Sequence, residues 1–234
     1  MNFVIKERPG TLIVFLLLWF LAGAAQGAFM PLSGEEAYYW LFSQHLQWGY
    51  LDHPPAVAFF AYLGSLFDST EFGARLFSSL LSTATLALLY DLLGRKHLRL
   101  FIFMTVGLLA VHAGSFLVKT DVPLLFFEVL FFWLYKRYLA DEKWVNILGV
   151  SLAVVGMLLS KYHGVLIVFF TLLSNLRLLQ RRSFWAIVIL SIVFMLPHMY
   201  WLYQNDWSSI VFHLNDRADI SFNPANVVSY VLSQ

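Results

Sequence analysis

The chain has 234 residues, of which 60% are hydrophobic and 12% are charged, whereas an ordinary soluble domain is about 25% charged. Its 15 Lys and Arg nearly balance its 14 Asp and Glu, so the formal charge of +1 offers no basic surplus for nucleic acid. A mean hydropathy of +0.71 excludes a disordered chain and disfavours a water-soluble globule. With no Cys, disulfides and thiolate metal sites are excluded as well.

Seven apolar segments approach the roughly 20 residues that a bilayer-spanning helix needs. In chain order they cover residues 11–30, 72–93, 98–118, 122–138, 144–160, 164–180 and 184–204. The first follows Lys6 and Arg8, but its uncharged run is longer than the core of a cleaved signal peptide, which is about 7–15 residues. The sequence therefore predicts an all-α polytopic membrane protein, with residues 1–234 forming a single transmembrane module.

The long segment 31–71 between the first two predicted spans is too apolar for a flexible loop. Residues 37–48 are rich in Tyr, Trp and Leu, which is typical of a helix at the headgroup level, and Pro54 and Pro55 begin a second apolar helix at 56–67. If the spans alternate from a cytoplasmic N-terminus, 11 Lys and Arg fall inside and 4 outside, which sum to the 15 present. We therefore expect an inner-membrane protein with two interfacial helices in its first outer loop.

Unusual polar residues gather in the predicted outer segments. They are Glu35, Glu36, Asp52, His53, Lys119, Thr120, Asp121, Lys161, Tyr162, His163, Asp206, His213, Asp216 and Arg217. Because an Asp, Lys or Arg at membrane depth costs about 2.5–3.5 kcal/mol, a shared polar cavity on the outer face is predicted. Carboxylates there suit removal of a proton from an acceptor hydroxyl, and cations suit a phosphate, so the cavity favours sugar transfer from a lipid-linked sugar phosphate.

Four motifs lie on the predicted outer side. They are PLSGEEAYYWLFSQ at 31–44 with WGYLDHPP at 48–55, KTDVPL at 119–124, LLSKYHG at 158–164 and WSSIVFHLNDR at 207–217. Together they resemble the motifs of the GT-C class of membrane glycosyltransferases, in the branch related to protein O-mannosyltransferases and to the aminoarabinose transferase of lipid A. Their order along nearly the whole chain makes the resemblance more specific than any one of them.

The resemblance implies inverting transfer from a polyprenyl-phosphate sugar to a hydroxyl of a lipid, a glycan or a protein, on the extracytoplasmic face. It assigns no certain cofactor and leaves a divalent metal open. The family motif usually reads Asp-Glu where this chain has Glu35-Glu36. Glu35 takes the base position, Glu36 the supporting one, and Asp52 would orient the base and the sugar.

The resemblance also suggests which side chains hold the donor. His53 stands where relatives can carry a Lys near the phosphate. The other candidates for donor binding are Lys119, Asp121, Lys161, Tyr162, His163 and Arg217. Relatives generally continue past seven spans, and this chain stops as an apolar stretch begins at 227–232, so we expect a truncated product.

Simpler interpretations of the same residues remain open. The two Glu suit the first turn of a helix, Asp52 and Asp121 suit helix caps, and Lys119 and Lys161 suit snorkelling anchors. Imidazole and carboxylate also suit a metal, but no tight spacing such as His-x-x-x-His assigns a ligand.

Two alternative functions stand beside the enzyme. Glu128 lies midway along the fourth predicted span, where a buried acid can mark the site of a proton-coupled transporter or lipid-handling protein. The second alternative is an inactive scaffold module.

Overall fold

The computed structural model describes residues 9–108, 114–216 and 229. The described part is helical, and its elements follow one another with short connections. They are α1 (Pro9–Phe29), α2 (Gly34–Gln44), α3 (Ala56–Ser65), α4 (Glu71–Leu92), α5 (Leu98–Gly107), α6 (Asp121–Ala140), α7 (Trp144–Ser160), α8 (Gly164–Ser174), a 3-10 helix (Leu176–Gln180), α9 (Arg182–Gln204), α10 (Ser208–Val211) and a π-helical turn (Phe212–Asp216).

Within the described residues, three helices are long and apolar enough to cross a bilayer, namely α1, α4 and α9. Two predicted spans were wrong as continuous helices. The third ends at Gly107, because Leu108 takes an extended conformation. The sixth ends at Ser174, where Asn175 leaves the helical region and a 3-10 turn follows. The all-helical class is therefore confirmed, whereas the count of seven spans stays a prediction.

The bundle is built around α4, α6 and α7. Helix α4 packs on α1, α3 and α6, while α7 packs on α6 and α9. Large side chains such as Phe131, Tyr138 and Met157 fill the core between α6, α7 and α9. A second, smaller core joins Tyr39 of α2 to α3, α4 and Val118. This smaller core fixes the segment after α1 against the end of the bundle where α4 and α6 begin, which we call the α2–α3 end.

Helix α2 begins three residues earlier than the predicted 37–48, and the reason is a capping box. The Ser33 side chain accepts a hydrogen bond from the Glu36 amide (3.3 Å), and the Glu36 carboxylate accepts one from the Ser33 amide (3.0 Å). Helix α3 begins at Ala56 as predicted and ends two residues earlier, at Ser65. Both interfacial helices thus exist, and their orientation to the bilayer stays a prediction.

Two glycines allow α3 and α4 to approach closely. A Cβ on Gly64 would lie 1.9 Å from the carbonyl oxygen of Gly73, which is backbone and cannot move aside alone. We expect Gly64→Ala to force the two helices apart and to destabilise the protein by about 1–3 kcal/mol. Thermal unfolding in detergent measures the loss. Gly10→Ala is the matched control, because nothing lies within 4 Å of its added Cβ, and an equal loss in both variants would contradict the packing argument.

Candidate functional site

A buried ion pair anchors the segment that carries the predicted catalytic acids. Arg75 of α4 and Glu36 of α2 are each 1% exposed, with Arg75 Nε donating to Glu36 Oε1 at 2.7 Å and Nη2 donating to Oε2 at 2.8 Å. The remaining guanidinium donors reach the backbone carbonyls of Gly27, Met30 and Pro31. Arg75 therefore ties the end of α1 and the start of α2 to α4.

The same carboxylate reaches a third part of the chain. Glu36 Oε1 also accepts a hydrogen bond from the Val118 amide at 3.1 Å, just before the predicted site residue Lys119. Burial alone would raise the pKa of Glu36, but hydrogen bonds from Arg75, Ser33 and Val118 outweigh it, so the pKa lies below its ordinary value. Glu36 is thus an ionised structural junction, and it is not among the residues that line the cavity described below.

Glu35, one residue earlier, points to a different environment. Its carboxylate is 52% exposed and lies 3.1 Å from the Lys119 ammonium, which is 36% exposed. Pairs exposed to this degree contribute only about 0–1 kcal/mol. The structure therefore brings these two predicted residues together, and the pair can open at little cost.

A cavity of about 850 Å³ opens at the α2–α3 end of the bundle. Its lining comes from four separate segments of the chain, and it includes six of the predicted site residues. These are Asp52, His53, Asp121, Lys161, Tyr162 and His163. Pro54, Leu124, Val165, Leu166, Ile210, His213 and Leu214 complete the wall. Most of the candidate site residues thus line one cavity, and Glu35 and Lys119 lie outside its wall.

Asp52 is held by Tyr38 and caps no helix. Tyr38 donates from Oη to Asp52 Oδ1 at 3.1 Å, and the N-cap of α3 is Pro55, without a side-chain bond. Burial and the Asp52 charge together raise the pKa of Tyr38 to about 12, so the hydroxyl keeps its proton and remains a donor. The capping interpretation of Asp52 was therefore wrong.

Asp121 and Lys161 form the second carboxylate–lysine pair. Lys161 Nζ lies 2.8 Å from Asp121 Oδ1, and the side chains are 31% and 57% exposed. The N-cap of α6 is Thr120, and Asp121 is its first residue, so the capping interpretation of Asp121 was also wrong. Both lysines predicted to meet the phosphate are therefore engaged by a carboxylate rather than free as snorkelling anchors.

Tyr39 lies among the carboxylates of this end. It is 3% exposed, and burial raises its pKa, with the charges of Glu35, Asp52 and Asp121 adding to that effect. The three acids therefore lie within electrostatic reach of one phenol. Although Glu35 does not line the cavity, it belongs to the same charged neighbourhood.

Tyr162 is oriented by a buried relay from α9 and α10. The His198 ring is 1% exposed, and its Nδ1 lies 2.5 Å from the Trp48 carbonyl oxygen, so Nδ1 donates and, in the neutral ring, Nε2 accepts. With this tautomer the Tyr162 hydroxyl, 3.3 Å from Nε2, donates to it and accepts from the Ser209 hydroxyl at 3.0 Å. Tyr162 thus offers the cavity its ring rather than a free hydroxyl proton.

Three further features considered from the sequence are Arg217, Glu128 and a metal site. Arg217 lies outside the described residues. Glu128 is half-buried in α6, and within the described part of the chain it has no hydrogen bond or ion pair of its own. Across the same residues no three His, Asp or Glu side chains lie close enough together to hold a metal ion.

Two contributors were missed by reasoning from the sequence. Arg75 could have been found, because a lone Arg near the end of an apolar span requires a partner. The pattern Ser33-x-x-Glu36 predicts the capping role of Glu36. His213 was counted among the polar residues of the outer segments but was not chosen as a site residue, since only the fold brings it to Asp52, where its Nε2 lies 2.8 Å from the backbone carbonyl oxygen.

The described fold is similar to a solved structure, the protein O-mannosyltransferase Pmt1–Pmt2 complex of S. cerevisiae bound to the sugar donor. The TM-score is 0.57 at 18% identity, and the match covers 88% of this chain and 35% of that chain. A likeness at this identity shows the fold alone, and it agrees with the all-helical class described above.

The family follows from the sequence itself. Residues 52–201 match the profile of the family described as dolichyl-phosphate-mannose-protein mannosyltransferase, and the chain belongs to that family. A search of curated protein sequences finds no match. The chain spans about a third of the length of the yeast protein. The family match begins at Asp52 and includes most of the residues that line the cavity.

Proposed function

We propose that this chain is the membrane module of a mannosyltransferase-type glycosyltransferase that takes its sugar from a polyprenyl-phosphate donor. The observation that carries the proposal is the cavity at the α2–α3 end, where carboxylates, imidazoles and a lysine from separate segments meet beside apolar side chains. A donor with a lipid tail, a phosphate and a sugar needs this mixture. Family membership supports the transfer of a mannose-type sugar.

Glu35 is the proposed base. It removes the proton of the acceptor hydroxyl while the acceptor oxygen attacks the anomeric carbon, and the bond from that carbon to the phosphate oxygen breaks on the opposite side. The electron pair leaves with the polyprenyl phosphate, so the configuration inverts. Asp52, held by Tyr38, is placed to orient the sugar rather than to accept the proton.

The two exposed ion pairs are the proposed seat of the phosphate. Lys119 and Lys161 each face one carboxylate at 3.1 and 2.8 Å, and such pairs exchange partners readily because they contribute little free energy. The donor phosphate can therefore draw Lys119 from Glu35, which leaves that carboxylate without its ion-pair partner as the donor arrives. Glu36 and Arg75 act by positioning this segment.

The membrane orientation belongs to the same proposal. Ion pairs of basic residues, such as Arg95 with Asp91 and Arg181 with Glu142, follow α4 and α6 at the end opposite the cavity. The bias of Lys and Arg toward that end supports a cytoplasmic position for it and an extracytoplasmic position for the cavity.

The test is transfer of label from a radiolabelled polyprenyl-phosphate mannose in proteoliposomes, with and without a chelator. We expect release of polyprenyl phosphate and appearance of label on an added hydroxyl acceptor or, by hydrolysis, as free sugar. Loss of turnover with chelator would establish metal dependence. Absence of both turnover and saturable donor binding would contradict the proposal and favour the transporter, in which Glu128 rather than Glu35 would be required.

Removing one lysine tests the phosphate seat. We expect Lys161→Met to weaken donor binding by about tenfold to a hundredfold, because a hydrogen bond to a charged group contributes about 1.5–3 kcal/mol. The measurement is saturation binding of the labelled donor. Lys143→Met is the matched control, since its lysine is 77% exposed and pairs with Asp141 at the opposite end. Unchanged donor binding in Lys161→Met would remove this lysine from the site.

A further inference from the structure

Two imidazoles share one backbone carbonyl in the cavity wall. His53 Nδ1 and His213 Nε2 both contact the carbonyl oxygen of Asp52, the second at 2.8 Å. A carbonyl oxygen only accepts, so each contacting nitrogen carries a proton. Asp52 Oδ2 lies 3.6 Å from the same His53 nitrogen and favours the proton there too. In the neutral rings the proton therefore lies on Nδ1 of His53 and on Nε2 of His213.

The second nitrogen of each ring is left as a lone pair. His53 Nε2 and His213 Nδ1 have no hydrogen-bond partner among the residues that the structure describes, and both side chains line the cavity. The rings are also held in place. They stack on each other with centroids 6.4 Å apart at an interplanar angle of 24°. The ring centroid of Tyr39 lies 5.4 Å from that of His53, and Tyr162 packs edge-to-face with His213 at a centroid distance of 5.6 Å.

We propose that His213 and His53 form a pair of fixed hydrogen-bond acceptors that bind hydroxyl groups of the transferred sugar and so determine sugar specificity. The proposal rests on the function proposed above and extends it to a residue outside the family match at 52–201. A neutral imidazole whose N–H is already engaged presents only a lone pair to a ligand. Sugar hydroxyls can donate to such a lone pair, whereas an unprotonated phosphate oxygen cannot.

The surroundings of the pair favour a sugar hydroxyl over a phosphate as its ligand. Lys161 lines the same cavity and already supplies a positive charge for the phosphate. The charged and titratable groups that face the pair from the packed elements are Tyr38, Tyr39, Asp52, Asp121, Lys161, Tyr162 and His163. The difference in affinity between the sugar phosphate and the bare phosphate decides between the two ligands.

The experiment compares His213→Gln with the wild type. The Gln amide keeps an N–H donor for the Asp52 carbonyl and removes the ring nitrogen that faces the cavity. Binding of polyprenyl-phosphate mannose and of the bare polyprenyl phosphate is followed by intrinsic Trp fluorescence. We expect the wild type to prefer the sugar phosphate, the variant to lose about tenfold of that preference, and binding of the bare phosphate to stay the same. His45→Gln, at the exposed end of α2, is the matched control.

Deoxy donors provide a second test. For a donor lacking the contacted hydroxyl, kcat/KM of the wild type should already be low, and His213→Gln should lower it no further, as in a double-mutant cycle. Weaker binding of the bare phosphate by His213→Gln than by the wild type would overturn the inference in favour of phosphate binding.

The two proposals fail in different ways. A wild type that binds and transfers the sugar while His213→Gln behaves identically overturns the hydroxyl-binding pair and leaves the transferase intact. A wild type that neither binds nor transfers overturns both. Equal affinity for the bare phosphate and the sugar phosphate in the wild type also rejects the hydroxyl-binding pair, whatever the turnover.

Discussion

Glu35→Gln should lower sugar transfer by about a hundredfold to ten-thousandfold, which is the usual contribution of a general base. The Gln side chain keeps the size of Glu35 but cannot accept the acceptor proton. Donor binding should survive or improve slightly, because Lys119, 3.1 Å from the carboxylate in the free protein, would no longer be held by a negative charge. The measurement is initial-rate transfer of label, with donor affinity determined separately.

Two acid-to-amide variants control for loss of a charge alone. Glu71→Gln changes an exposed acid at the start of α4, and Glu128→Gln changes the half-buried acid of α6. Both should retain transfer. If Asp52→Asn abolished turnover while Glu35→Gln did not, the base would be Asp52, the carboxylate that lines the cavity. Loss of activity in Glu128→Gln alone would instead favour the transporter.

Arg75→Met should destabilise the protein by about 3–5 kcal/mol, the cost of leaving one partner of a buried ion pair without the other. Glu36 is 1% exposed and would keep a charge with only the Ser33 and Val118 amides to satisfy it. The same guanidinium donates hydrogen bonds to three backbone carbonyls at the end of α1, and these would lose their donor as well. Thermal unfolding in detergent measures the effect.

The double variant Glu36→Gln/Arg75→Met separates the unpaired charge from the lost connections. It should be more stable than Arg75→Met alone, since no charge remains buried. As a surface control, Arg95→Met removes a partner of Asp91 that is 74% exposed and should change stability little. A single variant Arg75→Met as stable as Arg95→Met would contradict the role of this pair as the anchor of α2.

The ion pair also predicts how stability depends on pH. The folded pKa of Glu36 lies below its ordinary value of 4.5, so its contribution is fully present above that value. The contribution is lost as the pH falls through the lower, folded pKa, where the carboxylate takes up a proton. A pH series of unfolding temperatures should therefore show an acid loss in the wild type that is smaller in Glu36→Gln.

Patterns of neighbouring residues in the sequence predicted much of the fold. Apolar runs of helical length predicted α1, α4, α6, α7 and α9, and Pro54-Pro55 predicted the start of α3 at Ala56. The predictions failed where local geometry interrupts a run. Leu98–Gly107 ends before the predicted apolar segment does, because hydropathy does not report where the backbone leaves the helical conformation. Gly164–Ser174 ends at Asn175, a polar residue inside the segment predicted as one span.

The sequence by itself determined the membrane class, the family motifs and the list of polar residues that cluster at one end. Composition and residue type suffice for these, since burying a charge or exposing an apolar run to water is costly wherever it happens. Only the tertiary structure decided which of those residues meet. In the folded chain Glu36 pairs with Arg75, whereas the adjacent Glu35 pairs with Lys119. It also brought His213 to Asp52 across 161 residues, because such contacts depend on helix packing, which no local pattern records.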